Sequence, residues 1–201
     1  MYEKIIFAKN KIKRNFPKWP RLHCSVLPNY LKTFNYKAST EILPFKTNFV
    51  EFGLDTDSRC NFCNRHADTA THLFCHCITL QPIWRILDQV LQKMNFTFRF
   101  TENRKSSNFY LISATIQKDE ENLVIYLNSI MNYKIWKFNM KIQYEGDKFC
   151  EKKMFKSIIK TIGGRENMEF IERLKQCKKI SKIAELNIAI KQVYQNSYVT
   201  R

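Results

Sequence analysis

The sequence predicts a mainly α-helical fold, and three observations lead to this prediction. Apolar residues recur at three- and four-residue intervals over long stretches, which is the period of a helix that buries one side. Only four glycines and five prolines occur in the 201 residues, so few positions interrupt these stretches. Hydrophobic residues make up 44% of the chain and aromatic residues 14%, which is enough to form a packed core.

Helix-starting and helix-ending residues define the predicted elements. Gly53 suits the C-terminus of a helix, where glycine adopts a left-handed conformation without strain. Pro82 suits the first turn of a helix, because the N–H that proline lacks has no partner there. Phe96, Phe98 and Phe100 alternate with other residues and indicate a short extended piece. The predicted helices are, in chain order, residues 2–15, a compact helical stretch within 27–54, residues 78–94, residues 119–144, a helix through 155–162, and one or two basic helices within 166–194.

The periodic apolar residues also predict the core and the division of the chain. The polar run 101–108 marks a subdomain boundary. We expect a basic N-terminal helix and linker (1–26), a domain around a cysteine-rich segment (27–100), a linker (101–118) and a basic helical C-terminal region (119–201). The predicted core residues are Leu31, Phe34, Tyr36, Ile42, Leu43, Phe49, Leu54, Leu80, Ile83, Trp84, Leu87, Val90, Leu91, Met94, Leu123, Leu127, Ile130, Met131, Ile135, Phe138 and Ile142.

The net charge of +16 predicts a polyanionic partner, and nucleic acid is the first candidate. A lysine-rich helix face is often only a solvated surface, but 34 basic residues face 18 acidic ones here. We therefore expect at least one basic cluster to bind the phosphates of RNA, DNA or both. The candidate contacts are Lys9, Lys11, Lys13 and Arg14 near the N-terminus, Lys152, Lys153, Lys156 and Lys160 in a second cluster, and Lys178 and Lys179 in a third.

Other expectations concern the compartment. No apolar run approaches the roughly 18–20 residues that a membrane span needs, and the first residues lack the apolar core of a secretory signal. Seven cysteines, an odd number, fit a reducing compartment better than a disulfide framework. We expect an intracellular protein, nuclear or cytoplasmic and not secreted, with no membrane partner and no small-molecule substrate.

The cysteine-rich segment carries the strongest chemical signal of the chain. Its spacing is Cys60-x2-Cys63-x8-His72-x4-Cys77, which supplies the three thiolates and one imidazole of a tetrahedral Zn²⁺ site. All four coordination positions would be filled by protein atoms, so the spacing predicts a structural zinc knuckle embedded between helices and not a catalytic centre.

The choice of four ligands stays open at this level. On an α-helix, His72, Cys75 and His76 would share one face through their three- and four-residue spacing. His72 and Cys77 are five residues apart and would not share it, so their pairing requires the helix to end near Phe74. A site that uses His76 in place of Cys77 is therefore an alternative.

Motifs around this segment are similar to those of a known family. The run 68–77 reads Asp-Thr-Ala-Thr-His-Leu-Phe-Cys-His-Cys, and Ile83-Trp84 follow on a helix. Upstream lie Phe34-Asn35-Tyr36-Lys37, Leu43-Pro44 and Gly53, and downstream lie Ile135-Trp136-Lys137. Over residues 28–140 the sequence resembles the zinc-binding region at the C-terminus of non-LTR retrotransposon reverse transcriptases.

The resemblance implies a ligand set and a set of partners. Cys60, Cys63, His72 and Cys77 would be the ligands rather than Cys75 or His76. Asp68 stands where Glu is more usual, and we expect it to cap the helix start at Thr69 or to accept a hydrogen bond from the ligand histidine. In this family the region is thought to hold template RNA and target DNA near the polymerase, so a reverse transcriptase polymerase domain is a further expected partner.

The chain lacks the motif by which such a polymerase works. It contains no Asp-Asp pair, and none of its prolines precedes an aspartate, as a restriction-like nuclease motif would require. We therefore expect a nucleic-acid-binding accessory domain without catalysis, derived from the piece beyond a polymerase. The alternatives are a protein-interaction domain that docks on a polymerase through apolar surface such as Tyr133 or Trp136, and a decayed remnant without function.

Overall fold

The computed structural model describes residues 27–40, 42–55, 57–103, 118–162 and 180–198. Helix accounts for 72% of these described residues and no strand occurs among them, which confirms the predicted mainly α fold. Residues Arg59 and Ala67 form an isolated antiparallel bridge. The elements are α1 (Asn29–Ser39), α2 (Lys46–Glu51), a π-helical turn (His72–His76), a 3-10 turn (Ile78–Leu80), α3 (Gln81–Lys93), α4 (Phe100–Asn103), α5 (Lys118–Glu145), α6 (Glu151–Ile162) and α7 (Ile180–Tyr198).

Helix ends lie where the special residues predict them. Gly53 follows α2 with a φ of +70°, and the N–H of Leu54 donates to the carbonyl of Phe49 while that of Gly53 donates to Val50. This pair of bonds is the Schellman arrangement, which satisfies carbonyls that the helix end leaves without partners. Gly146 ends α5 in the same left-handed region, with a φ of +69°. Pro82 lies in the first turn of α3, as predicted.

The helices pack around one hydrophobic core that includes residues from every named α-helix except α2. α3 packs against α7, α6 packs against α5, and the Phe155 ring of α6 stacks on Tyr194 of α7 at 6.0 Å between ring centroids. The buried residues lie on both sides of the linker predicted at 101–118. The four-part division of the chain stays a prediction from sequence, and its first part, residues 1–26, lies outside the described residues.

An aromatic cluster joins α1 to α5. The Phe34 ring lies 5.5 Å from Tyr133 and 5.8 Å from Trp136, measured between ring centroids. Tyr133 and Trp136 are both half-buried in this contact, and the ammonium group of Lys137 lies 5.8 Å from each of their centroids. They therefore contribute to the packing between helices, and docking of a partner through these residues stays a prediction.

Most predicted core residues are buried, including Trp84, but three are exposed and three are half-buried. Tyr36 is 41% exposed, Ile42 is 60% exposed and Leu54 is 72% exposed. α1 buries Leu31, Phe34, Asn35 and Ala38, and Tyr36 lies off this stripe because of the helical period. Ile42 lies in the connection to α2, and Leu54 follows the turn that ends α2. Phe49, Phe138 and Ile142 are half-buried.

The extended piece after α3 follows its predicted alternation. Phe96, Phe98 and Phe100 are buried while Thr97 between them is exposed. Phe100 also begins α4, whose first N–H groups donate to the buried carboxylate of Asp88.

Each helix that the structure describes is too short or too polar to span a bilayer.

Candidate metal centre

A short hairpin positions the first two cysteines. The N–H of Cys60 donates to the carbonyl of His66 at 2.7 Å, and the N–H of Asp68 donates to Ser58 at 2.7 Å. Between these strand-like arms, the N–H of Asn64 donates to the carbonyl of Cys60 at 2.8 Å and closes the turn that contains Cys63. Asn64 has a φ of 54°, a left-handed conformation that asparagine tolerates better than most residues.

A π-helical turn positions the other two side chains. The hydroxyl of Thr69 accepts a hydrogen bond from the N–H of His72 at 3.1 Å and so caps the start of the turn. The N–H of Cys77 then donates to the carbonyl of His72 at 2.8 Å, a five-residue step in place of the four-residue step of an α-helix. The wider turn brings Cys77 back toward His72. The helix therefore widens rather than ends near Phe74, which corrects the sequence-based expectation.

The side chains of Cys60, Cys63, His72 and Cys77 meet in one cluster that can hold a metal ion. Their ligand atoms all lie within 4.8 Å of one another. The sulfur atoms of Cys60 and Cys77 are 3.9 Å apart, and the sulfur of Cys63 lies 3.3 Å from Nε2 of His72. A tetrahedral ion with bonds of about 2.0–2.3 Å requires ligand atoms roughly 3.3–3.8 Å apart. The Cys60–Cys77 and Cys63–His72 separations are close to this range, so the group is compact enough to close around one ion.

The two alternative ligands lie outside this cluster. His76 is exposed, and Cys75 is buried without being one of the four grouped residues. Both belong to the π-helical turn, whose geometry selects position 77 over position 76 as the neighbour of position 72.

The ionisable groups of the cluster affect each other's protonation. The hydrogen bond between the sulfur atoms of Cys60 and Cys77, together with burial, raises the pKa of Cys60, and the same bond lowers the pKa of Cys77. Burial lowers the pKa of His72, with smaller contributions from His66 and His76, so its imidazole is neutral at neutral pH. A metal ion binds the thiolate form, so its binding would release the thiol protons, and its charge would offset the repulsion between the neighbouring thiolates.

Asp68 lies beside the cluster but has a different role from the one expected. It is fully buried. Its carboxylate accepts hydrogen bonds from the backbone N–H of Lys46 at 3.1 Å and from Nδ2 of Asn139 at 3.1 and 3.3 Å. It thus caps α2 across the fold, and the cap of the turn before His72 is Thr69. Burial raises the pKa of Asp68, and the bonds from Lys46 and Asn139 oppose that rise.

Asn139 is the residue of this region that sequence reasoning missed. It lies on α5, is completely buried, and its Oδ1 also accepts a hydrogen bond from Nδ2 of Asn61 at 2.9 Å. A signal for it existed in the sequence. Asn139 follows Ile135 by four residues and precedes Ile142 by three, so it is a polar residue within the apolar period of its helix.

The structure describes only part of the predicted nucleic-acid-binding set. Lys152, Lys153, Lys156 and Lys160 are exposed on α6, opposite its buried residues Met154, Phe155, Ile158 and Ile162. The other predicted contacts, Lys9, Lys11, Lys13, Arg14, Lys178 and Lys179, lie outside the described residues. Tyr144, near the end of α5 and 64% exposed, is an aromatic surface residue that the sequence did not single out.

Comparison with known families supports the resemblance drawn from the sequence. Residues 1–84 match the family model described as zinc-binding in reverse transcriptase. The match contains all four clustered residues and ends within α3, so it covers less than half of the chain. It is a match to the zinc-binding region and not to a polymerase domain. No curated protein and no solved structure matches the chain.

Proposed function

We propose that this chain is a zinc-stabilised, nucleic-acid-binding accessory domain of the reverse transcriptase type, without catalysis of its own. One observation carries the proposal. The ligand atoms of three cysteines and one histidine lie within 4.8 Å of one another in the segment that matches the zinc-binding family. Sulfur and imidazole ligands in this number are those of structural Zn²⁺ sites, and they leave no position for water or substrate.

The ion would supply folding free energy rather than chemistry. Structural zinc contributes about 10–16 kcal/mol in finger peptides at neutral pH, compared with about 5–15 kcal/mol for the net stability of a whole domain. The residues that would hold it connect the hairpin at 58–68 to the turn before α3. Phe74 in that turn packs against Phe34 of α1 and against Phe45, at 6.1 and 6.0 Å between ring centroids. A bound ion would therefore brace the packing of the surrounding helices.

The exposed face of α6 would bind the nucleic acid. Its four lysines recur at one- to four-residue intervals, and the apolar side of the same helix is fixed in the core. Such a rigid row of ammonium groups attracts phosphates and releases their counterions. Tyr144 precedes this helix by a few residues and exposes a ring on which an unpaired base would stack. The net charge of +16 adds a long-range attraction of the same sign.

Zinc content and a salt titration test the two halves of this proposal. We expect one zinc ion per chain in reduced protein, and binding to RNA or DNA that weakens steeply as salt rises. Each phosphate contact contributes a slope of about −0.7 for a single strand. The variant Lys156→Gln/Lys160→Gln should therefore reduce the slope by about 1.4. A matched control, Lys37→Gln/Lys191→Gln, removes two exposed lysines outside α6 and should leave most of the slope unchanged. Equal effects of the two variants would refute α6 as the interface.

A second candidate is a zinc-stabilised protein-interaction domain that docks on a polymerase. It is favoured by three exposed apolar residues at the end of α2, Val50, Phe52 and Leu54. This candidate requires binding to a purified polymerase domain that depends weakly on salt and is lost in Phe52→Ser/Leu54→Ser.

A further inference from the structure

We infer that Asn139, on α5, is a positioning residue for the metal-binding loop, so that the metal site depends on a helix outside the matched segment 1–84. The inference rests on the proposed metal site and adds a residue to it. None of the four clustered residues lies on α5. The dependence arises from one amide side chain that contacts both halves of the loop.

Asn139 joins the two halves through both ends of its amide. Its Oδ1 accepts from Nδ2 of Asn61 at 2.9 Å, and its Nδ2 donates to the two carboxylate oxygens of Asp68 at 3.1 and 3.3 Å. Asn61 lies between Cys60 and Cys63, and Asp68 lies just before the turn that begins with His72. The half of the loop that supplies Cys60 and Cys63 and the half that leads to His72 are therefore both hydrogen-bonded to the side chain of Asn139.

The hydrogen-bonding groups around Asn139 allow its side-chain amide only one orientation. An ionised carboxylate only accepts hydrogen bonds, so the Nδ2 of Asn139 must face Asp68 and its Oδ1 must face Asn61. Asp68 and Asn139 are both completely buried and out of contact with bulk solvent. A buried polar group that loses its partner bears the full cost of desolvation. The metal-binding loop therefore keeps this arrangement only while it packs on a helix that presents this amide.

Exchanging the carboxylate and the amide between positions 68 and 139 tests the inference in the full-length chain. Asn139→Asp places a second carboxylate against Asp68, and we expect the affinity for Co²⁺, a spectroscopic substitute for zinc, to fall about 10- to 100-fold. Asp68→Asn turns an amide nitrogen toward the Nδ2 of Asn139 and should also weaken binding. In Asp68→Asn/Asn139→Asp the new amide at position 68 donates to the new carboxylate at position 139, which still accepts from Asn61. This variant should recover most of the affinity.

A matched control separates positioning from general stability. Ser129, also on α5, accepts a buried hydrogen bond from Asn35 of α1 at 2.9 Å, away from the metal-binding loop. Ser129→Ala should lower the melting temperature and leave the Co²⁺ affinity within about twofold of wild type. The readouts are the visible absorption of bound Co²⁺ in competition with a chelator, and the melting temperature of the same samples.

The outcomes separate this inference from the proposed function. If wild-type protein binds no metal, the proposed metal site and this inference are both refuted. If wild type binds metal and Asn139→Asp binds it equally well, only the inference is refuted. If Asn139→Asp does not fold, the paired exchange decides, because its failure to recover metal affinity overturns the inference.

Discussion

Replacing Cys77 with serine tests the ligand set most directly. The serine keeps the size of the side chain and removes the thiolate, which leaves three ligands. If about 10–16 kcal/mol is shared among four ligands, each supplies about 2.5–4 kcal/mol, and the loss of one should weaken binding by roughly 60- to 700-fold. Cys77 is buried beside Cys60, so the serine hydroxyl would take the place of the thiol in this contact and leave the fold around it little changed.

Cys75→Ser is the matched control for that experiment. Cys75 is a buried thiol of the same turn, two residues away, and it lies outside the cluster. We expect it to cost about 1–3 kcal/mol of stability, because a hydroxyl replaces a buried thiol, while one metal ion per chain is retained. Metal content would be measured on purified protein and affinity by chelator competition. If Cys75→Ser loses the metal while Cys77→Ser retains it, the ligand set and the proposed role of the π-helical turn are both wrong.

Three further predictions concern the surroundings of the cluster. The pKa of His72 is lowered by burial, so the unfolded chain binds the proton more tightly than the folded chain. Protein from which a chelator has removed the metal should therefore lose stability as pH falls through the ordinary histidine pKa of about 6.5. An unfolding midpoint that stays flat or rises as pH falls from about 7.5 to about 5.5 would contradict this. Asn64→Val should cost about 1–2 kcal/mol in thermal unfolding because of the positive φ, whereas Asn64→Gly should be nearly neutral; equal costs would rule out backbone strain as the cause. Trp84→Ala should cost about 3–5 kcal/mol in denaturant unfolding and the exposed Phe52→Ser within about 0.5 kcal/mol, and a reversed order would contradict the assigned core.

Periodicity in the sequence was sufficient to locate the long helices. The spacing of apolar residues predicted a helix over 119–144, and α5 runs from Lys118 to Glu145 before Gly146. Such a helix repeats the same local signal many times, and a residue with a positive φ ends it. The arrangement around Gly53 was predictable for the same reason, because the signal and the structure lie within a few residues of each other.

Two features of the candidate site were not predictable in this way. The π-helical turn depends on a hydrogen bond between His72 and Cys77 that competes with the α-helical register, and apolar spacing carries no information about that competition. The partner of Asp68 lies 71 residues away on α5, and a single sequence does not pair distant polar residues. Leu54 and Ile42 were wrongly assigned to the core. Both lie in connections between elements, and a hydrophobic side chain in a connection is not buried by its hydrophobicity alone.

The five-residue step from His72 to Cys77 also fixes the number of residues between the last two ligands. Cys77 has an extended backbone, and a 3-10 turn separates it from α3. Deleting one residue between His72 and Cys77 would remove the hydrogen bond that spans this step and move one ligand away from the other three. The interval between the last two ligands is therefore a length-constrained part of the chain.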